Sequence, residues 1–213
     1  MQSLLGSLFK TVSSEHFLRL VPAGSVVLDC GTGSGDLAMT FHDNGYDVEA
    51  YDRDGPRMQP LRDFGIVTHV GDVLALPFTA DTYDYVVCRS LLPHVELWQD
   101  ALREMLRVSR KGVVFHHNTA EFLPLLRDKG ASRFVASRAE LEALGVRTVI
   151  PLAALIVPGR TAEIEAALSD SGRYAAALAY ERTVLPFLPL ECGSKLIGVL
   201  EKQAIPGQLK TSP

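Results

Sequence analysis

Apolar runs rich in β-branched residues recur along the chain, separated by segments with helical spacing. Val26–Asp29, Val48–Tyr51, Val67–Val70, Tyr83–Cys88 and Gly112–His116 read as strands. The runs centred on Val27, Val87 and Val114 are nearly continuous in apolar character, the pattern of strands covered on both faces. Asp36–Asn44 reads as a helix stopped by Gly45. A short helix follows, capped by Asp54 and limited by Pro60. Trp98–Arg107 sets Leu102, Met105 and Leu106 on one side and charges on the other. Further on, Ser137 and Glu140 have capping-box spacing and Gly145 is a stop. Arg147–Leu152 reads as a strand, Thr161–Leu168 and Tyr174–Arg182 as helices, and Lys195–Glu201 as a last strand.

This alternation predicts an α/β fold with a doubly wound, mostly parallel sheet and right-handed crossovers. No Gly/Ser linker or internal repeat divides the 213 residues, so one domain is expected. Residues 1–25 form a helical lead-in, 26–120 a core, 121–205 the later sheet elements and 206–213 a tail. The net charge is −4 with no long basic run, which argues against a nucleic-acid partner. Cys30, Cys88 and Cys192 are far apart and odd in number, which suits a reducing compartment. The N-terminus lacks the basic start and unbroken apolar core of a signal peptide. The apolar stretches "VIPLAALIVPG" and "TVLPFLPL" fall short of the roughly 20 residues that span a bilayer. A cytoplasmic protein without a transmembrane segment is the expectation.

The stretch "VVLDCGTGSGDLA", residues 26–38, carries the first chemistry. A strand ends at Asp29, and Gly31, Gly33 and Gly35 follow before a helix. Glycine lets a ligand approach the main chain closely, and the helix start directs free N–H groups at it. Open α/β sheets bind ligands at the carboxyl ends of their strands. A dinucleotide would call for GxGxxG, but here the spacing is GxGxG and the sixth position is Asp36. Asp29 and Asp36 would repel a pyrophosphate and suit a cationic ligand. S-adenosylmethionine, with a sulfonium, an ammonium and no phosphate, fits that requirement.

"VLDCGTGSGDLA" resembles the first motif of the class I S-adenosylmethionine-dependent methyltransferases of the small-molecule type. "VEAYDRD", "VGDVLALPF" and "YDYVVCRSLLPHV" follow in that family's order. The resemblance covers roughly residues 15 to 120. It implies a Rossmann-like sheet of seven strands with an antiparallel last strand. It also implies S-adenosylmethionine as cofactor and a methyl-transfer reaction. On this resemblance Gly31, Thr32, Gly33 and Gly35 frame the methionine end, and Asp29 favours the ammonium and sulfonium. Asp52 accepts from the ribose hydroxyls. Asp72 faces the adenine amino group, Val73 offers its N–H to the ring, and Arg53 or Leu74 packs on it. Cys88 and Arg89 form the floor, although a small residue is commoner at the place of Arg89.

Other readings stand beside these. Asp36 serves equally well as a residue that caps or favours its helix start. Cys30 and Cys88 read as small core residues rather than nucleophiles. His94 matches a histidine that follows the fourth strand in the family and shapes the site, and it is also a candidate catalytic base. His116 and His117 end the fifth strand, where an acceptor would be held, and either is a candidate base. Adjacent strand residues point oppositely, so at most one faces the acceptor; the alternative puts one in the core and the other in solvent. No third ligand recurs at metal-site spacing. "VIPLAALIVPGR" and "TVLPFLPLE" read as a buried strand with a helix-packing or homodimer surface, or else as an apolar wall for a lipid-like or aromatic small-molecule acceptor. A nicotinamide-dependent oxidoreductase and a non-catalytic S-adenosylmethionine-binding sensor are the alternatives to a methyltransferase.

Overall fold

The computed structural model describes residues 3–120, 134–146, 148–152, 160–190 and 193–202. Helix α1 (Leu4–Leu20) precedes β1 (Val26–Cys30), α2 (Asp36–Asp43), β2 (Asp47–Asp52), α3 (Gln59–Asp63) and β3 (Val67–Val70). Then come β4 (Tyr83–Cys88), α4 (Trp98–Val108) and β5 (Ser109–Asn118). The later elements are α5 (Arg138–Ala143), β6 (Thr148–Leu152), α6 (Thr161–Leu168), α7 (Ser171–Thr183) and β7 (Lys195–Glu201). One seven-stranded sheet has the order β3-β2-β1-β4-β5-β7-β6. β7 runs antiparallel to both β5 and β6, and the other pairings are parallel. This is the doubly wound, mostly parallel sheet with an antiparallel last strand.

The continuous apolar runs have a direct structural cause. Alternate residues of the central strands feed two cores, one on each face of the sheet. Val27, Val87 and Val114 pack with Phe17 of α1 and Phe41 of α2. Leu28, Val86, Val113 and Phe115 pack with Trp98 and Met105 of α4 and Leu141 of α5. Asp84, at the start of β4, accepts a hydrogen bond from the Val26 N–H at 3.0 Å and lies 3.3 Å from Lys111 and 3.5 Å from Arg110. That carboxylate ties the beginnings of β1, β4 and β5 together.

Several boundaries differ from the sequence expectation. β5 extends from Ser109 to Asn118, so His117 and Asn118 belong to the strand. α7 starts at Ser171 because the Asp170 side chain caps the N–H groups of Gly172 and Arg173. Pro60 lies in the first turn of α3 instead of limiting it, a position where proline's missing N–H is harmless. The Ser137–Glu140 capping box forms as expected. The segment from Val184 to Leu190 is a short 3-10 turn and coil rather than a buried strand, and Phe187 is 86% exposed. Cys192, residues 153–159 of the apolar stretch and the tail lie outside the described residues.

β7 is fitted to its neighbour by size. Gly198 pairs with Phe115 of β5, and a Cβ at Gly198 would collide with the phenyl ring. Gly198→Ala should lower stability by about 1–3 kcal/mol through overpacking. Combining it with Phe115→Leu should cost less than the sum of the two single changes in urea denaturation. Additive losses would show that the ring moves aside freely.

Candidate active site at the carboxyl edge

β1 feeds a turn that only glycine makes easily. Gly31 has φ +73°, and Gly35, the residue before α2, has φ +84°. Both are also sterically closed to side chains: a Cβ on Gly31 would strike Leu91, and one on Gly35 would strike Leu61. The turn opens onto a cavity of about 460 Å³ lined by Asp29, Thr32, Gly33, Asp52, Arg89 and His94, among others. A neighbouring cavity of about 230 Å³ is lined by Tyr51, Asp72, Val73, Leu74 and Val95. Gly31, Asp52, Arg53, Leu91 and His94 line both.

Three carboxylates lie at three adjacent strand ends. Asp29 accepts from the Thr32 hydroxyl at 2.6 Å and is 1% exposed. Asp52 accepts from the Gly33 N–H at 2.8 Å and the Asp54 N–H at 3.0 Å. Asp72 accepts from the Leu74 N–H at 2.9 Å, and its carbonyl accepts from the Tyr51 hydroxyl at 3.1 Å. Burial pushes the Asp29 carboxyl up to about 6, against the pull of Thr32, Arg89 and the Ala38 N–H.

Helix α1 roofs the site. Lys10 pairs with Asp36, which also accepts from the Ser34 hydroxyl at 3.1 Å. Burial resists ionisation of Asp36, but Lys10, Ser34 and Arg89 outweigh it and hold its carboxyl below the ordinary value. Asp36 therefore links α2 to α1 rather than capping its own helix. The Arg89 side chain is 8% exposed and donates to the Ser14 hydroxyl at 2.8 Å and the Lys10 carbonyl at 3.5 Å. Burial lowers its pKa, while Asp29 and Asp36 oppose the shift. Lys10 and Ser14 are site residues that sequence reading missed. α1 buries Leu8, Val12 and His16 along one side, and its position over the carboxyl edge is a tertiary fact.

Cys88 needs correction as a floor residue. Its thiol is fully buried in the core on the α4 side and lines neither cavity. Burial raises the pKa of both Cys88 and Cys30, which fits inert core thiols. Arg89 does line the larger cavity. The residue after it, Ser90, has φ +65°, a strained backbone for a residue with a Cβ.

The paired histidines also depart from expectation. They point to opposite faces, yet neither meets solvent, being 2% and 0% exposed. β5 is an interior strand with α1 over one face and α4 over the other, so both faces are dry. His116 packs on Phe9, and its Nδ1 accepts from the Ser90 N–H at 3.0 Å. His117 packs on Trp98, and its Nδ1 accepts from the Asn118 N–H at 2.8 Å, with the Asn118 carbonyl at 3.2 Å. A backbone N–H only donates, so the neutral His116 ring carries its proton on Nε2, while the His117 Nδ1 meets both a main-chain donor and a main-chain acceptor. Burial first, then Lys195, His117, Arg89 and His94, drives the His116 pKa well down. Burial brings His117 down to about 4. His116 is a donor at Nε2, and neither ring lines either of these two cavities; His94 lines both.

The sequence profile of the "Methyltransferase domain" family matches residues 28–116, the span that carries this geometry. Residues 28–116 are thus a methyltransferase domain, of the class I S-adenosylmethionine-dependent type. The chain is 31% identical over 161 residues to a malonyl-[acyl-carrier protein] O-methyltransferase of Enterobacter lignolyticus, covering 68% of this chain and 64% of that one. It is 37% identical over 95 residues to a demethylmenaquinone methyltransferase of Renibacterium salmoninarum, covering 42% of this chain and 38% of that one. The chain thus spans less than two thirds of the length of these curated relatives. The crystal structure of an S-adenosylmethionine-dependent methyltransferase from Mesorhizobium loti shares the fold, with a TM-score of 0.63 at 16% identity over 92% of this chain and 100% of that one. The methyltransferase-domain match and the methyltransferase relatives set aside the nicotinamide alternative. S-adenosylmethionine is the cofactor of the family. The donor set fits it: carboxylates stand where cationic and hydroxyl groups need acceptors, and the glycine turn leaves room for the chain of atoms between them. Among the described residues, no three His, Cys, Asp or Glu side chains converge as a metal site, and no helix is long and apolar enough to cross a membrane.

Asp29 has a consequence for stability. Its folded pKa exceeds the unfolded value, so the folded state binds the proton more tightly. This group therefore favours folding as pH falls from above 6 toward 4, and its ionisation weakens the ligand-free protein above that window. Asp29→Asn should raise stability at pH 8 by up to about 3 kcal/mol and flatten its pH dependence between 6 and 4. Denaturation of the ligand-free protein at several pH values tests this; a less stable variant at pH 8 would show that the carboxylate's hydrogen bonds outweigh its desolvation.

Proposed function

We propose that the protein transfers the methyl group of S-adenosylmethionine to a small-molecule acceptor, mainly by aligning donor and acceptor. The observation that carries this reading is the row of Asp29, Asp52 and Asp72 on adjacent strand ends around the bare glycine turn. When bound, the cofactor supplies a methyl group already activated by its sulfonium. Asp29 and the turn at Gly31–Gly35 receive the methionine end. Asp52 accepts from the ribose hydroxyls, and the Gly33 N–H bound to it links sugar site and turn. Asp72, Val73 and Leu74 border the adenine space, with Arg53 beside it. Leu91 and His94 close the side that both cavities share. The relatives' names, malonyl-[acyl-carrier protein] and demethylmenaquinone methyltransferases, support an acceptor that is neither nucleic acid nor protein side chain.

The chain's own task is geometric. The acceptor atom must come within about 3 Å of the methyl carbon, opposite the sulfur. A roof that excludes water protects that approach, and α1 provides it through Lys10 and Ser14.

Asp52→Ala should weaken S-adenosylmethionine binding by about 1–3 kcal/mol in calorimetry, and NAD should not bind. Unchanged affinity removes Asp52 from the site. Affinity should also fall as pH drops below about 6, where Asp29 takes up a proton and loses its attraction for the sulfonium. A pH-independent affinity between 7 and 5 would assign the cation's recognition to other groups. Turnover of methyl-labelled cofactor with a metabolite extract separates an enzyme from a sensor that only binds.

A further inference from the structure

The strand ends of the carboxyl edge divide by charge. In sheet order, β3 is followed by Asp72, β2 ends on Asp52 and β1 carries Asp29. Past the switch point between β1 and β4 the sign reverses. β4 is followed by Arg89, and β5 ends on His116, His117 and Asn118. β7 runs the other way, so its first residue, Lys195, lies opposite Asn118 at the same edge. These basic strand ends carry no carboxylate. The acidic half belongs to the cationic cofactor. Arg89 shares the larger cavity with Asp29 and the glycine turn, so the basic half meets the acidic half there.

The cations there are gathered under α1. The Lys195 Nζ lies 3.8 Å from the centre of the Phe9 ring, and that ring packs on His116 at 4.7 Å. Arg89 is held by Ser14 and Lys10 of the same helix and lines the larger cavity. A guanidinium has five N–H donors. Only two hydrogen bonds to Arg89 occur among the described residues, and the Asp36 carboxylate, at 4.0 Å, is beyond hydrogen-bond reach. Asp36 and Asp29 act on it as nearby charges, so its unfilled N–H donors are what an anion in direct hydrogen-bond contact would complete. His116 Nε2, buried and carrying its proton, also meets no partner there.

We propose that this basic half seats the methyl acceptor, and that the acceptor is a small-molecule carboxylic acid, bound as its carboxylate and methylated on oxygen. The inference rests on the methyltransferase reading above and names the substrate class for that site. A carboxylate matches the fork of Arg89 in a two-point contact. It also removes the need for a base, which His116 and His117 are not placed to provide. An oxygen lone pair of the carboxylate forms the new bond to the methyl carbon as the carbon–sulfur bond breaks and its electron pair stays on sulfur. No proton moves. The sulfonium becomes a neutral thioether, the carboxylate becomes a neutral ester, and the ester has lost the charge that the basic half held.

The test uses the full chain and methyl-labelled S-adenosylmethionine. A small-molecule extract is split on an anion exchanger, and each fraction is assayed beside a panel of carboxylic acids and their primary amides. Labelled product should arise from the retained fraction and from acids, never from amides. Mild alkali should release the label as volatile methanol, as from an ester. Lys195→Met should raise the acceptor KM about tenfold or more while S-adenosylhomocysteine affinity, measured by calorimetry, stays within about twofold. Arg89→Met should raise the acceptor KM likewise. Product from the unretained fraction, alkali-stable label, or no product from either fraction overturns the proposal. So does an Arg89→Met variant that loses cofactor affinity alone, which would give that cation to the cofactor's own carboxylate. Failure of the native protein to bind S-adenosylhomocysteine at all is a different result, because it overturns the methyltransferase reading beneath.

Discussion

A carboxylate that is 1% exposed stands at the end of a strand whose other residues are core. Water has been taken from Asp29, and the protein returns only a Thr32 hydroxyl, a backbone N–H and the more distant charge of Arg89. That imbalance explains the raised pKa, and it gives the site its direction. A cation arriving in the cavity gains a nearly dry carboxylate, which attracts it far more strongly than one in water would. Everything around Asp29 keeps this arrangement intact. The glycine turn must pass close by without side chains, Leu61 and Leu91 fill the space a Cβ would need, and α1 closes the top. On the proposed function, binding rather than folding recovers the cost of this group.

The same element that closes the site couples it to the rest of the molecule. Lys10 and Ser14 reach Asp36 and Arg89 from α1, while Glu15 of that helix holds Arg182 of α7 at 2.9 Å. Glu165 of α6 accepts from the N–H groups of Leu4 and Leu5 at 2.8 and 3.1 Å, so the free end of α1 is also anchored. The helix thus hangs between the late helices and the carboxyl edge by polar contacts at three places. Its apolar face, with Leu8, Val12 and Phe17, is in the core. A roof built this way has a fixed hydrophobic seat and a polar rim, and a ligand entering below must compete with the rim rather than with the seat.

Much of this was legible in the sequence, because strand patterning and glycine spacing are local signals. Val67–Val70, Tyr83–Cys88, Thr161–Leu168 and Lys195–Glu201 have the same bounds in the structure as in the pattern of residues. Asp29, Asp52 and Asp72 follow from strand ends, since a parallel sheet delivers every carboxyl end to one side. What failed was whatever depended on which faces are covered. Cys88 was placed in the floor and lies in the core, because alternation along β4 sends its side chain toward α4. His116 and His117 alternate as expected, but an interior strand has no wet face, and only the sheet order shows that β5 is interior. Lys10 and Ser14 were invisible for the same reason.

The tautomer of His116 follows from one further constraint. Its Nδ1 meets a main-chain N–H, and protonating the ring would turn an acceptor into a second donor facing that donor. Burial already disfavours the charge at His116, so hydrogen bond and desolvation act in the same direction there, whereas at His117 the Asn118 backbone and Glu140 oppose burial. For His116 the donor is Ser90, whose left-handed backbone is otherwise unfavourable for a residue with a Cβ. The imidazole therefore stabilises a strained turn, and that turn sets Leu91 against Gly31 and places His94 beside both cavities. A histidine at a strand end beside a cofactor cavity has the residue type of a base. Its neighbours make it a brace for the loop that shapes the cavity.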